Sequence, residues 1–112
     1  MPGQVIRAHV KQEEHCGSCH DRSNARSQTS LCLDCHKDIA GDIAQHRGFH
    51  GHADHVGSGE CRGCHTEHKG RDADIVQLDK AQFNHKLTDF ELTGAHAALA
   101  CAACHKPSAP TR

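Results

Sequence analysis

Tryptophan and tyrosine are absent from this 112-residue chain, and only three phenylalanines occur. Leu, Ile, Val and Phe together supply 17 residues, too few for a chain that builds its own hydrophobic core. A domain this short buries a modest share of its surface even with ample apolar content. No apolar run approaches the roughly 18 residues that a membrane-spanning helix needs. Charge of one sign is missing too: the formal net charge is −1 and the pI is about 6.9. With basic and acidic residues interleaved, and no aromatics to stack on bases, nucleic-acid binding is excluded. Mean hydropathy of −0.69 leans towards disorder, but the high net charge that goes with disorder is not there. No alternating pattern of useful length marks a strand.

Cysteine and histidine are what the chain has instead, 8 and 13 of them. All the cysteines fall into four Cys-x-x-Cys-His motifs: Cys16–Cys19–His20, Cys32–Cys35–His36, Cys61–Cys64–His65 and Cys101–Cys104–His105. This is the attachment pattern of c-type haem. Residues three and four apart share a helical face, so both sulfurs can reach the two vinyl groups of one porphyrin. The histidine that follows can then meet the iron. A zinc ribbon would accept the twelve residues between the first two pairs, and a disulfide framework would use an even cysteine count. Neither gives a reason for histidine after every pair. Four covalently bound haem c (heme c) groups are therefore expected, supplying the apolar mass the peptide lacks.

The fold expected is mostly irregular with a few short α-helices and no significant sheet, wrapped round haems as one domain over 1–112. A module of a longer multihaem protein fits the same residues. Arg22 to Ser30 reads as a polar loop. A helix is expected over 33–45, with Leu33, His36, Ile39, Ala40 and Ile43 on one stripe and an end at Gly48. Residues 48–59 read as a histidine-rich loop, and 61–68 as a short helix ending near Lys69-Gly70. Residues 71–84 form an irregular acidic connector. The alanine-rich 94–105 is expected to be the clearest helix, stopped by Pro107. A weak repeat places Ala8-His9 seven residues before Cys16 and Ala95-His96 five before Cys101.

Four histidines serve as proximal ligands and nine are left over. The only methionine is Met1, so bis-histidine ligation is expected in place of Met/His ligation. The stretch Phe83-Asn-His85 through Gly94-Ala-His96 to Cys101-Ala-Ala-Cys104-His105 resembles a signature of class III-like multihaem cytochromes c. So does Cys61-Arg-Gly-Cys64-His65-Thr-Glu-His68-Lys-Gly70. The resemblance covers roughly residues 61–106 well and the N-terminal half loosely. It implies a distal-ligand role for His85, the histidine of Phe-x-His, and ligand roles for His68 and His96. Thr88 stands where that family often has a further histidine, and no motif here is followed by a second His, so ligand pairing does not transfer. His9, from the repeat, and His50, after Phe49, complete the ligand candidates. That makes five names for four places. His15 abuts Cys16 too closely to reach another iron, and His46, His52 and His55 read as loop residues with His55 in reserve.

The function expected is electron transfer by an electron carrier, with redox proteins, among them other multihaem cytochromes, as partners. A multihaem reductase with one open haem face is the rival enzyme reading, and a conducting subunit or module of a larger assembly is the rival structural one. Haem attachment occurs outside the cytoplasmic membrane, so periplasmic or extracellular residence is expected. Met1-Pro2-Gly3-Gln4 lacks the pattern of a signal peptide, so the export signal is expected elsewhere.

Overall fold

Hydrogen bonds, more than apolar packing, hold this chain in place. The structure is a computed structural model that describes residues 1–52, 60–76 and 78–107. Among the described residues only Val5 and Leu31 are buried apolar side chains, each 8 % exposed, and no large side chain is fully buried. Accessible surface totals 8748 Å², whereas a folded monomer of this mass exposes about 6,100 Å². The radius of gyration is 16.2 Å, with extents of 51 × 29 × 22 Å; a compact domain of this length has about 13 Å. The peptide is a scaffold with very little apolar interior of its own.

The described residues form four short α-helices and five 3₁₀ turns, without a strand. Helix α1 covers Gln28–Cys35, capped where Ser27 Oγ accepts the Ser30 amide at 3.1 Å, a contact worth about 1 kcal/mol. The polar loop expected up to Ser30 therefore stops at Ser27. Helix α2 covers Lys37–Ala44, and His36 between the two helices sits at φ −84°, ψ 66°. The single helix expected over 33–45 is thus two helices with a break at His36, which takes the imidazole out of the helical stripe. Gly48 does not end that helix; α2 stops at Ala44, and Gly48, at φ 62°, opens helix α3, Gly48–Gly51. A Cβ on Gly51 would lie 2.6 Å from both the Asp42 carbonyl oxygen and the His46 carbonyl carbon, so α3 packs backbone to backbone on the end of α2. The rest of the expected histidine-rich loop, 53–59 with His55, lies outside the described residues.

Two further expectations are corrected. The helix expected over 61–68 is a single 3₁₀ turn, Cys61–Gly63. The alanine-rich stretch is not one helix: a 3₁₀ turn, Gly94–His96, and helix α4, Cys101–Cys104, are separated by Ala100 in extended backbone at ψ 150°. Alanine's helical preference amounts to tenths of a kcal/mol per residue, and a short helix with no face to bury is marginal in water. The described residues of the connector, 71–76 and 78–84, are irregular, as expected.

One clamp organises the N-terminal half. The Gly70 amide donates to the Gln4 carbonyl at 3.0 Å and the Arg7 amide to the Arg71 carbonyl at 3.1 Å. Arg71 Nη1 donates to the Val5 carbonyl at 2.8 Å, and its other nitrogen pairs with Glu13, which also accepts the Val5 amide at 3.3 Å. Residues 4–13 are thereby fixed against the segment that follows the third Cys-x-x-Cys-His motif. A second tie joins α3 to the 85–92 segment, where Asp89 accepts the Gly48 amide at 2.7 Å and His52 Nε2 at 3.0 Å.

Candidate metal centre: four facing histidine pairs

The four Cys-x-x-Cys-His motifs fold into the same turn. In each, the histidine amide donates to the carbonyl of the first cysteine: His20 to Cys16 at 2.8 Å, His36 to Cys32 at 3.0 Å, His65 to Cys61 at 2.8 Å and His105 to Cys101 at 2.8 Å. Two of the motifs lie in 3₁₀ turns and two in α1 and α4, so the closure is local to the motif and independent of the host element. No two of the eight cysteines are joined in a disulfide, and six of them are exposed. Burial pushes the Cys32 thiol up, with Cys61 beside it, and burial pushes Cys19 up, with Glu67, Cys35 and Cys16 beside it. The first three motifs therefore sit as neighbours.

Every motif histidine faces a second imidazole from a distant part of the chain. His20 faces His68 with ring centres 6.2 Å apart and planes at 22°. His36 faces His9 at 5.9 Å and 74°. His65 faces His50 at 6.2 Å and 31°. His105 faces His85 at 6.1 Å and 37°. Rings stacked in contact lie closer than this, and the four separations are equal to within 0.3 Å. Two imidazoles each bonded to one metal ion at about 2 Å place their ring centres roughly 6 Å apart.

Three of the pairs are oriented by hydrogen bonds at Nδ1. His68 Nδ1 lies 2.7 Å from the Gly3 carbonyl, His65 Nδ1 lies 2.9 Å from the Ile75 carbonyl, and His9 Nδ1 bonds the Glu67 carboxylate. An Nδ1–H that donates to a carbonyl or carboxylate fixes the tautomer and leaves Nε2 as the free electron pair, which is how metal-binding histidines are prepared. The Gly3 contact requires glycine, because a Cβ there would collide with the His68 carbonyl. His68 itself has φ 64°, a left-handed backbone costing about 1 kcal/mol or more that neighbouring contacts must hold. Burial pushes the Glu67 carboxyl up, yet the bonds from His9, Ile6 and His68 outweigh it and hold the group below the usual carboxylate range.

Two cavities adjoin these centres. One of about 670 Å³ is lined by His20, Cys16, Leu31, Arg22 and Arg26. The other, about 430 Å³, is lined by both His85 and His105 with Cys104, Phe83, Phe90 and Leu92. Phe83 meets the His85 ring edge-on at 5.0 Å and lies 5.5 Å from Phe49, which in turn meets His50 edge-on at 5.9 Å. Two of the three phenylalanines thus steady facing histidines.

His96 is the ligand candidate that the fold does not bring to a motif histidine. It is exposed at the end of its 3₁₀ turn, and among the described residues its ring faces no other imidazole. The Ala-His repeat holds locally, since His9 also lies in a 3₁₀ turn, but only His9 is carried to a partner. His15 lines the larger cavity, His46 follows α2 at φ 53°, and His52 has its Nε2 on Asp89. Sequence reasoning missed Glu67, Gly3, Ile75 and Asp89, all of which act through backbone atoms or at a separation no local pattern records. Among the described residues no three His, Cys, Asp or Glu side chains converge as a metal cage, whereas structural zinc takes four ligands. No helix among the described residues is long and apolar enough to cross a membrane. No family model, curated protein or solved structure matches the chain.

Proposed function

We propose that this chain is a tetrahaem c-type cytochrome whose function is electron transfer. The observation that carries this reading is that all four motif histidines face a second histidine at 5.9 to 6.2 Å. The residues fit the group: cysteine pairs on one turn for the thioether bonds, a facing imidazole for the sixth ligand, a cavity at the first motif and one at the fourth motif that Phe83, Phe90 and Leu92 line. Haem c at each site would be held by Cys16, Cys19, His20 and His68; by Cys32, Cys35, His36 and His9; by Cys61, Cys64, His65 and His50; and by Cys101, Cys104, His105 and His85. Bound haem supplies one-electron redox chemistry at bis-histidine iron.

The chain's own part is to space the sites and fix the imidazoles. The Arg71 clamp delivers His9 and His68 together, and Asp89 ties the His50 helix to the segment of His85. With a second imidazole on each motif histidine, a carrier is favoured over a reductase, which needs an open face and acid–base groups above it. Export to the periplasm or beyond, and redox proteins as partners, belong to the same proposal. The test is the mass of matured, denatured protein: four covalently added haems are expected, and recovery of zinc, or of fewer than three haems, ends the reading.

A further inference from the structure

Glu67 lies between two of the facing pairs and belongs to neither. Its Oε1 bonds Nδ1 of His9, the partner of His36. Its Oε2 accepts the Ile6 amide at 3.0 Å and the His68 amide at 3.4 Å, and His68 is the partner of His20. At the corresponding atoms of His68 and His65 the acceptors are the neutral carbonyls of Gly3 and Ile75. A carboxylate that accepts the Nδ1 proton of an imidazole increases the ring's basicity at Nε2 and brings a negative charge near the metal. Both effects favour the more positive, oxidised ion.

We infer that Glu67 is a positioning residue that lowers the reduction potential of the site formed by His36 and His9, while its second oxygen holds the strained backbone of His68 in place. The inference rests on the tetrahaem reading. It assigns to one carboxylate a part of the difference between adjacent sites. Side-chain packing offers little, since only two apolar residues among those described are buried. Glu13 controls for loosening of the clamp: it bonds Arg71 and the Val5 amide instead of an imidazole, so its loss acts on His9 and His68 alike and singles out neither site.

The experiment is a redox titration of the matured full-length protein, followed by electron paramagnetic resonance so that single sites are resolved. Parent, Glu67→Gln and Glu13→Gln are compared, with covalent haem counted by mass in each. Expected is a selective rise in the potential of the His36/His9 site in Glu67→Gln, with the other three sites shifted less, and no selective shift in Glu13→Gln. Four attached haems with an unchanged potential at that site overturn the inference alone, as does an equal shift in the Glu13 variant. Parent protein without haem overturns the tetrahaem reading itself. If Glu67→Gln fails to load four haems, Glu67→Asp keeps the charge at a shorter reach; a raised potential at the same site is then expected, and an unchanged one overturns the inference.

Discussion

The rings of His9 and His36 cross at 74°, while those of His20 and His68 lie within 22° of parallel at nearly the same separation. The bond from His9 Nδ1 to Glu67 fixes one ring of the crossed pair, and the bond from His68 Nδ1 to the Gly3 carbonyl fixes one ring of the near-parallel pair. His36 stands at the break between α1 and α2, and His9 rides on the 3₁₀ turn that the Arg71 clamp positions. In low-spin ferric iron, parallel imidazole planes interact with one d orbital and split the pair, whereas crossed planes interact with both and leave them nearly equal.

Electron paramagnetic resonance of the oxidised protein should therefore show one site with a highly anisotropic, large-g signal and three with ordinary rhombic spectra. The other two pairs, at 31° and 37°, belong with the near-parallel class. Four indistinguishable rhombic signals would contradict the crossed geometry at His9 and His36.

Under the proposed tetrahaem reading, removing a facing histidine should open one site without releasing its haem, because the thioether bonds are separate from the axial bond. His9→Ala, His50→Ala, His68→Ala and His85→Ala are each expected to convert one haem in four to high spin, visible in the absorption spectrum. His96→Ala should leave the spectrum low-spin. A high-spin component in the His96 variant, or none in the other four, would overturn the pairing.

Glycine substitutions separate close approach from helix preference. Gly51→Ala places a Cβ against the backbone of Asp42 and His46, and overpacking of that kind costs about 1–3 kcal/mol. Gly41, inside α2 with nothing within 4 Å of a would-be Cβ, should gain about 0.5–1 kcal/mol on replacement by alanine. Thermal unfolding of the matured variants measures both. Equal midpoints for the two would mean that α3 does not pack on α2 as described.

Acid should loosen the N-terminal clamp. Its bond to Arg71, set against burial and joined by the Val5 amide, holds the Glu13 carboxyl below its usual range. A carboxylate with a lowered folded-state pKa gives stability that is present above its unfolded value, near 4, and is lost as pH falls through the folded value. The midpoint difference between parent and Glu13→Gln should accordingly be largest near pH 7 and shrink by pH 3. A constant difference would show that the Glu13 charge plays no part in stability.

How much of this was readable in the chain follows from the range of each interaction. Cys-x-x-Cys-His is local, and its geometry closes within one turn, so the cysteines and motif histidines stand where spacing puts them. The sparse fold, strand-free among the described residues, followed from composition. Helix boundaries failed where tertiary demands outweigh propensity: at His36, turned out of a helix to meet His9, and at Ala100, extended despite its alanine neighbours. Which surplus histidine meets which motif depends on contacts 15 to 48 residues apart, from His50 with His65 to His20 with His68, and no local pattern carries that. His96 and His9 share an Ala-His context, yet only the clamp distinguishes them. Glu67 was invisible because its role depends on the Ile6 amide and the His9 ring, both brought to it by the fold.

The central claim is the set of four axial pairs, and an experimental structure of the matured protein that resolves each iron and its two axial nitrogens tests it most directly. Expected are His20 with His68, His36 with His9, His65 with His50 and His105 with His85. An iron bound by any other axial pair, or a metal other than haem iron at the motifs, would contradict it.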